Sequence, residues 1–286
     1  MLSNNNINIS HVYLADIDKN PDNYNTCNNY VKIPDDYHNY CSKFYSNNWI
    51  DKFHSYKKIV IEKPDIKLLW DAFIIGSLNR RVPTIYIEEL NDLVYKYTQK
   101  YPDIFNVINN SYFVRTDKTS LKTGIYGNAK YDSLLKIFYS MVTCKYGHHS
   151  FDKDDEIINI YLLEYKNVDI NKEFRVFVKN NKITAISQQN IYTKSIFIIS
   201  KTYYEKYNLV LDLINYFELN IKNKLIQFND YVMDIALIDD VSNDFYFIEI
   251  NPFGAKYSSG SALFNWITDD NIINNNNNYI EFRYVV

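Results

Sequence analysis

A chain of 286 residues that is 47% hydrophobic and 23% charged can bury a sizeable core, which excludes disorder of the whole and points to one large domain or two lobes. With 31 Lys and Arg against 34 Asp and Glu the net charge is −3, so no global field marks a nucleic-acid or membrane partner. The three cysteines, Cys27, Cys41 and Cys144, lack paired spacing. Together with the absence of a leader in residues 1–10 and of any apolar run near the roughly 20 residues that span a bilayer, they predict a cytoplasmic protein.

Residues 1–55 show no sustained period and read as an irregular arm. Over 65–78, Ile66, Leu69, Trp70, Phe73 and Ile74 recur at helical spacing, and Leu90, Leu93, Val94 and Tyr97 repeat it over 87–99. Residues 81–87 fit a short strand or a linker. A strand at 112–114 enters a polar loop, and 131–142 reads as a helix with Leu134, Leu135, Phe138 and Val142 inward. The β-branched, alternating stretch 157–165 predicts a buried strand. Residues 173–178 and 183–188 predict strands joined by Asn180 and Asn181, which tolerate the left-handed backbone of a tight hairpin. A long helix follows over 203–222. Residues 231–238 and 245–250 make a second hairpin across a polar loop, and the Asn run 274–278 leads to a terminal edge strand, 279–286. Helices with antiparallel strands and no internal repeat give an α+β class.

Alternation along the last hairpin puts Phe247, Glu249 and Asn251 on one face, and pairing Ile238 with Phe245 sets Asp234 opposite Glu249. Opposed carboxylates repel, so they share a proton or hold a cation between them. Three hard oxygen donors suit Mg²⁺, which fills the rest of its shell with water and phosphate. A solvated charged face satisfies the same spacing equally well. In the first hairpin a two-residue turn pairs Arg175 with Ile186 and Glu173 with Gln188, so Glu173, Arg175 and Gln188 share a face. Arg175 there is either a phosphate clamp or half of a surface pair with Glu173. The loop after residue 114 adds Arg115, Ser120, Lys122 and two glycines, a phosphate-gripping composition without the Walker order. Cys144 and the pair His148 and His149 lack partners at catalytic or metal-binding spacing.

Three stretches in this order resemble the cell division cycle protein 123 family, a branch of the ATP-grasp superfamily. They are Glu173-Phe174-Arg175-Val176-Phe177-Val178 with Ile186-Ser187-Gln188; Met233-Asp234-Ile235; and Ile248-Glu249-Ile250-Asn251-Pro252-Phe253-Gly254 with Ser261-Ala262-Leu263-Phe264-Asn265-Trp266. The resemblance covers roughly residues 112–266 and favours the site over both blander alternatives. It implies a two-lobed ATP-grasp fold with ATP and Mg²⁺ held between the lobes, here an arm (1–55), a first lobe (56–163), a second lobe (164–270) and a tail (271–286). By that resemblance Asp234, Glu249 and Asn251 are the metal ligands. Arg175 contacts phosphate beside Glu173 and Gln188, Glu164 and Tyr165 meet the adenine, and Arg115, Ser120 and Lys122 face the phosphates. The loop departs from the family pattern, with Leu121 at the common proline and Lys122-Thr123 at a basic-Asp pair. Eukaryotic members assemble translation initiation factor 2 through its gamma subunit, whereas other ATP-grasp proteins are carboxylate-amine ligases acting through an acyl phosphate. Asn fills about one position in eight, which reads as A+T-rich codon bias and fits a large DNA virus or a protist.

Overall fold

The computed structural model describes residues 6–26, 32–104, 111–128, 130–239, 243–257, 259–274 and 279–286. Cys27, most of the Asn274 to Asn278 run and the middle of the last hairpin loop lie outside the described residues. The strands are β1 (Ile7–Val12), β2 (Tyr56–Glu62), β3 (Tyr112–Thr116), β4 (Ile157–Glu164), β5 (Glu173–Lys179), β6 (Lys182–Gln188), β7 (Tyr231–Asp239), β8 (Asp244–Pro252) and β9 (Ile280–Val285). The longer helices are α1 (Lys63–Asn79), α2 (Ile87–Lys100), α3 (Leu134–Thr143) and α4 (Tyr203–Tyr216). The chain forms two compact units, residues 45–166 and residues 1–44 with 167–286.

In the unit 45–166, β4 lies between β2 and β3, antiparallel to both. Ile59, Ile61, Val114, Ile158, Ile160 and Leu162 point from one face into the apolar stripes of α1, α2 and α3, where Ile66, Leu69, Phe73, Leu90, Tyr97, Ile137, Phe138 and Met141 are buried. Gly76 lets α1 approach α3, because a Cβ there would collide with the Val142 carbonyl oxygen. Residues 84–86 are a 3₁₀ turn rather than the short strand entertained for this stretch.

The other unit carries a six-stranded sheet ordered β1-β9-β6-β5-β7-β8. Neighbours from β6 through β5 and β7 to β8 are antiparallel, and β9 runs parallel to both β6 and β1. Two expectations are corrected here. Part of the supposed arm is a strand, β1, and the terminal strand is interior rather than an edge, with Phe282 and Val285 fully buried between β1 and β6. A six-residue strand whose partner lies more than 270 positions away has no local signal strong enough to show it. Helix α4 starts at a capping box of Thr202 and Glu205, and its predicted continuation to residue 222 becomes a π-helical turn over Phe217–Ile221.

Candidate functional site

Both hairpins form, with bulges in their registers that alternation alone does not show. Asn180 and Asn181 adopt φ of 48° and 56°, the pair of left-handed residues that a two-residue turn between right-twisted strands requires. Beyond it Thr184 is an extra residue, since Val178 pairs with Ile183 and Phe177 with Ala185. Its hydroxyl donates to the Phe177 and Ile273 carbonyls, which holds the bulge in place. As a result Arg175 pairs with Ser187, and Gln188 sits opposite Phe174 on the other face. The expected grouping of Gln188 with Arg175 is therefore overturned. Gln188 is fully buried, donating to the Asn190 and Thr193 carbonyls and accepting from Val285 N at 3.0 Å.

In the second hairpin Asp234 does pair with Glu249, by a different route. Leu237, not Ile238, opposes Phe245, while Ile238 and Ile248 are two bulged residues whose effects on register cancel. The bulge at Ile248 moves Phe247 to the face opposite Glu249, contrary to simple alternation, and leaves Glu249 and Asn251 together. Asn251 Nδ2 lies 3.4 Å from Glu249 Oε1.

One face of the sheet thus carries an unbroken polar row across all six strands: Ser10, Arg283, Ser187, Arg175, Asp234 and Glu249. Phe177, Ala185 and Val232 on the same face pack under Phe253, Phe264 and Trp266, so the segments around Pro252-Phe253-Gly254 and Leu263 to Trp266 roof its apolar end. Gly254 has φ +109°, a conformation that excludes a side chain at this turn.

Within the row Arg175 grips Asp234 at two points, Nε to Oδ1 at 2.9 Å and Nη2 to Oδ2 at 2.8 Å, and its Nη1 donates to the Gly260 carbonyl at 2.7 Å. Burial works against the guanidinium charge, but attraction and hydrogen bonding to Asp234, with Glu249 and Glu173 nearby, outweigh it and raise its pKa. The buried guanidinium thus offsets the negative charge of the opposed carboxylates with a cation the sequence already supplies. The donor set also fits Mg²⁺, because Asp234, Glu249 and Asn251 present hard oxygens on one face and an ionised carboxylate accepts more than one partner per oxygen.

The remaining expected residues are distributed as follows. Glu173 begins β5, on the face of Arg175. In the other unit Arg115 is a β3 residue, not a loop residue, and is 4% exposed. Its guanidinium stacks 4.6 Å from the Trp49 ring, and its Nε donates to Ser46 Oγ at 2.7 Å. Ser120 is buried and bridged by backbone to Arg115, whereas Lys122 is exposed. Glu164 ends β4, exposed and paired with Lys166 at 3.0 Å, and Lys130 sits 5.0 Å over the Tyr165 ring. The contribution of Gly260 escaped the sequence reading; its place among small residues just before Ala262 to Trp266 is the one signal of a close approach.

A family model described as D123 matches residues 97–286. A putative CDC123-like protein of Acanthamoeba polyphaga mimivirus is 27% identical over 236 residues, 77% of this chain and 69% of that protein. Translation initiation factor eIF2 assembly proteins of Danio rerio and Candida albicans are 32% and 31% identical over 121 and 129 residues, 42% and 44% of this chain. The aligned stretch spans only about a third of those two, 32% and 34%. Among solved structures, Cdc123 from Schizosaccharomyces pombe superposes with TM-score 0.52 over 85% of this chain and 95% of that one. A C-terminally truncated form gives 0.56 over 90% and 99%, both at 18% identity. These likenesses show that the α+β fold is shared with Cdc123.

Proposed function

The chain belongs to the D123 family, and from that premise we propose that it binds ATP with Mg²⁺ and assists assembly of translation initiation factor 2 through the gamma subunit of that factor. The observation that carries the nucleotide half is the row of Arg175, Asp234, Glu249 and, two residues along β8, Asn251 on adjacent strands of one face. Mg²⁺ would supply neutralisation of negative charge at this face. Asp234, Glu249 and Asn251 would hold it. Arg175 has five N–H donors, of which three are engaged among the described residues, so two remain for phosphate oxygens while the grip on Asp234 is kept. Arg115, Ser120 and Lys122 are proposed as further phosphate contacts, and Glu164 and Tyr165 as adenine contacts.

The assembly half is supported by the names of the Danio rerio and Candida albicans relatives, and the gamma subunit by the family resemblance. The mimivirus relative and the Asn-rich composition support a virus-encoded version of such a factor. Among the described residues no helix is long and apolar enough to cross a membrane, and work on a translation factor supports a cytoplasmic site of action.

The test is capture of partners from a eukaryotic lysate with and without ATP and Mg²⁺, alongside calorimetry of ATP binding. Recovery of initiation factor 2 with an affinity that responds to nucleotide is expected, and linkage requires the gamma subunit to alter ATP affinity by the same factor. Failure to recover it, with steady ADP production, would move the assignment to an ATP-grasp carboxylate-amine ligase.

A further inference from the structure

Arg175 is anchored by a loop that is itself held from far away in the chain. Its Nη1 rests on the carbonyl of Gly260, and a Cβ at that position would collide with Asn25 Oδ1 and lie 3.1 Å from Nη1, so the three groups meet at a point where only glycine fits. Asn25 and Ala262 then form a reciprocal latch. Asn25 N donates to the Ala262 carbonyl at 2.6 Å, and Ala262 N donates to Asn25 Oδ1 at 3.3 Å. Both residues sit in the left-handed region at φ 48°, which Asn tolerates and Ala does not favour, so the surroundings hold Ala262 there.

Thr26 completes the latch. Its N–H donates to Ser261 Oγ at 2.8 Å, its hydroxyl lies 3.0 Å from the same oxygen, and Trp266 N donates to Thr26 Oγ1 at 3.0 Å. Ser259 and Leu263 pin the flanks of the loop, to the Pro252 carbonyl and to Ser187 Oγ. Neither Asn25 nor Thr26 falls within residues 97–286, the stretch that carries the family match.

We infer that Asn25 and Thr26 are positioning residues for the Arg175 guanidinium: through the loop 259–262 they fix the Gly260 carbonyl, and so decide which way the two remaining N–H donors of Arg175 point. The inference deepens the proposed nucleotide site and rests on that reading. A guanidinium is a planar fork; Asp234 holds the edge formed by Nε and Nη2, and the Gly260 carbonyl holds Nη1. Releasing the Gly260 anchor leaves the charge and the Asp234 grip in place, frees Nη1 and lets the plane tilt about the Asp234 edge.

The test is a double-mutant cycle on the full chain with ATP and Mg²⁺ as the probe. Asn25→Gly, which keeps the left-handed backbone and deletes the side-chain latch, and Thr26→Val should each weaken MgATP binding by roughly five- to tenfold. In an Arg175→Ala background the same changes should have no further effect, because the group they orient is gone. A general structural defect would instead carry through into that background. Arg175 Nε–H, followed by nitrogen-15 NMR without nucleotide, should exchange faster in Thr26→Val than in wild type.

If Arg175→Ala weakens MgATP binding while Asn25→Gly and Thr26→Val do not, the positioning role is overturned and the nucleotide site stands. If wild type and Arg175→Ala bind MgATP equally, the nucleotide reading fails. The positioning role is then decided by the Arg175 exchange rate alone, and an unchanged rate in Thr26→Val overturns it as well.

Discussion

Asp234 is shared between two neighbours of opposite sign: Arg175 grips both of its carboxylate oxygens from one side, and Glu249 is its register partner on the other. Asp234 is 4% exposed and Arg175 8%, so the pair is screened from water. A buried ion pair is not strong evidence of net stability, but removing one half strands the other.

Asp234→Ala should therefore destabilise the protein by about 3 kcal/mol, since among the described residues it leaves a buried guanidinium with the Gly260 carbonyl as its one direct hydrogen-bond anchor. Mere relief of repulsion with Glu249 predicts the reverse, a gain in stability. Urea denaturation decides between them, and a midpoint at or above wild type would show that Arg175 is not the partner that matters.

Arg175→Lys should fail to restore what Arg175→Ala loses. A lysine ammonium cannot span two Asp234 oxygens and the Gly260 carbonyl with the geometry of a fork. We expect both variants to lose MgATP binding by tenfold or more, about 1.4 kcal/mol or more. Full affinity in Arg175→Lys would reduce the role of this residue to charge alone.

The Asn180-Asn181 turn offers a check on the register of β5 and β6. Asn181→Gly should be neutral or stabilise by up to about 1 kcal/mol, and Asn181→Val should cost about 1–2 kcal/mol, because a β-branched residue resists positive φ. Equal stability of the two variants would mean that the turn is not left-handed in solution.

Lys118 is paired with Asp152 and, at 2.8 Å, with Asp155. Burial would push the Asp152 carboxyl up, but Lys118 and then His149 hold it below its ordinary value. Burial likewise opposes the Lys118 charge, yet the two aspartates raise its pKa. The depressed carboxyl contributes stability that is present above its unfolded pKa and lost as pH falls through the folded one. The raised lysine contributes stability that is present below its unfolded pKa and lost as pH rises through the folded one. The pair is at full strength between about pH 5 and pH 10. Lys118→Met should cost about 1 kcal/mol at pH 7, kept small because the Asp152 side chain is 46% exposed. The difference from wild type should shrink at pH 3, and a difference independent of pH would reject the pair as its source.

Local pattern was enough for most of the elements. Helical spacing marks α1 and α2, β-branching marks β4, and the Asn180-Asn181 pair marks a hairpin, because each is dictated by a few neighbouring residues. The same alternation found the opposition of Asp234 and Glu249, although two cancelling bulges lie between the turn and that pair. Where a single bulge went uncompensated, at Thr184, alternation put Gln188 on the wrong face. A bulge is chosen by what it packs against, here the Ile273 carbonyl almost ninety residues away, and no local signal reports that.

Tertiary structure alone decided the rest. The sheet closes with β1 from one end of the chain beside β9 from the other, and the anchor of Arg175 depends on a Gly260 that only the approach of Asn25 makes necessary. Residue types and their spacing determined which charges this protein brings to one sheet. Which of those charges meet was settled by burial, since a guanidinium and a carboxylate taken out of water must find partners wherever the fold provides them.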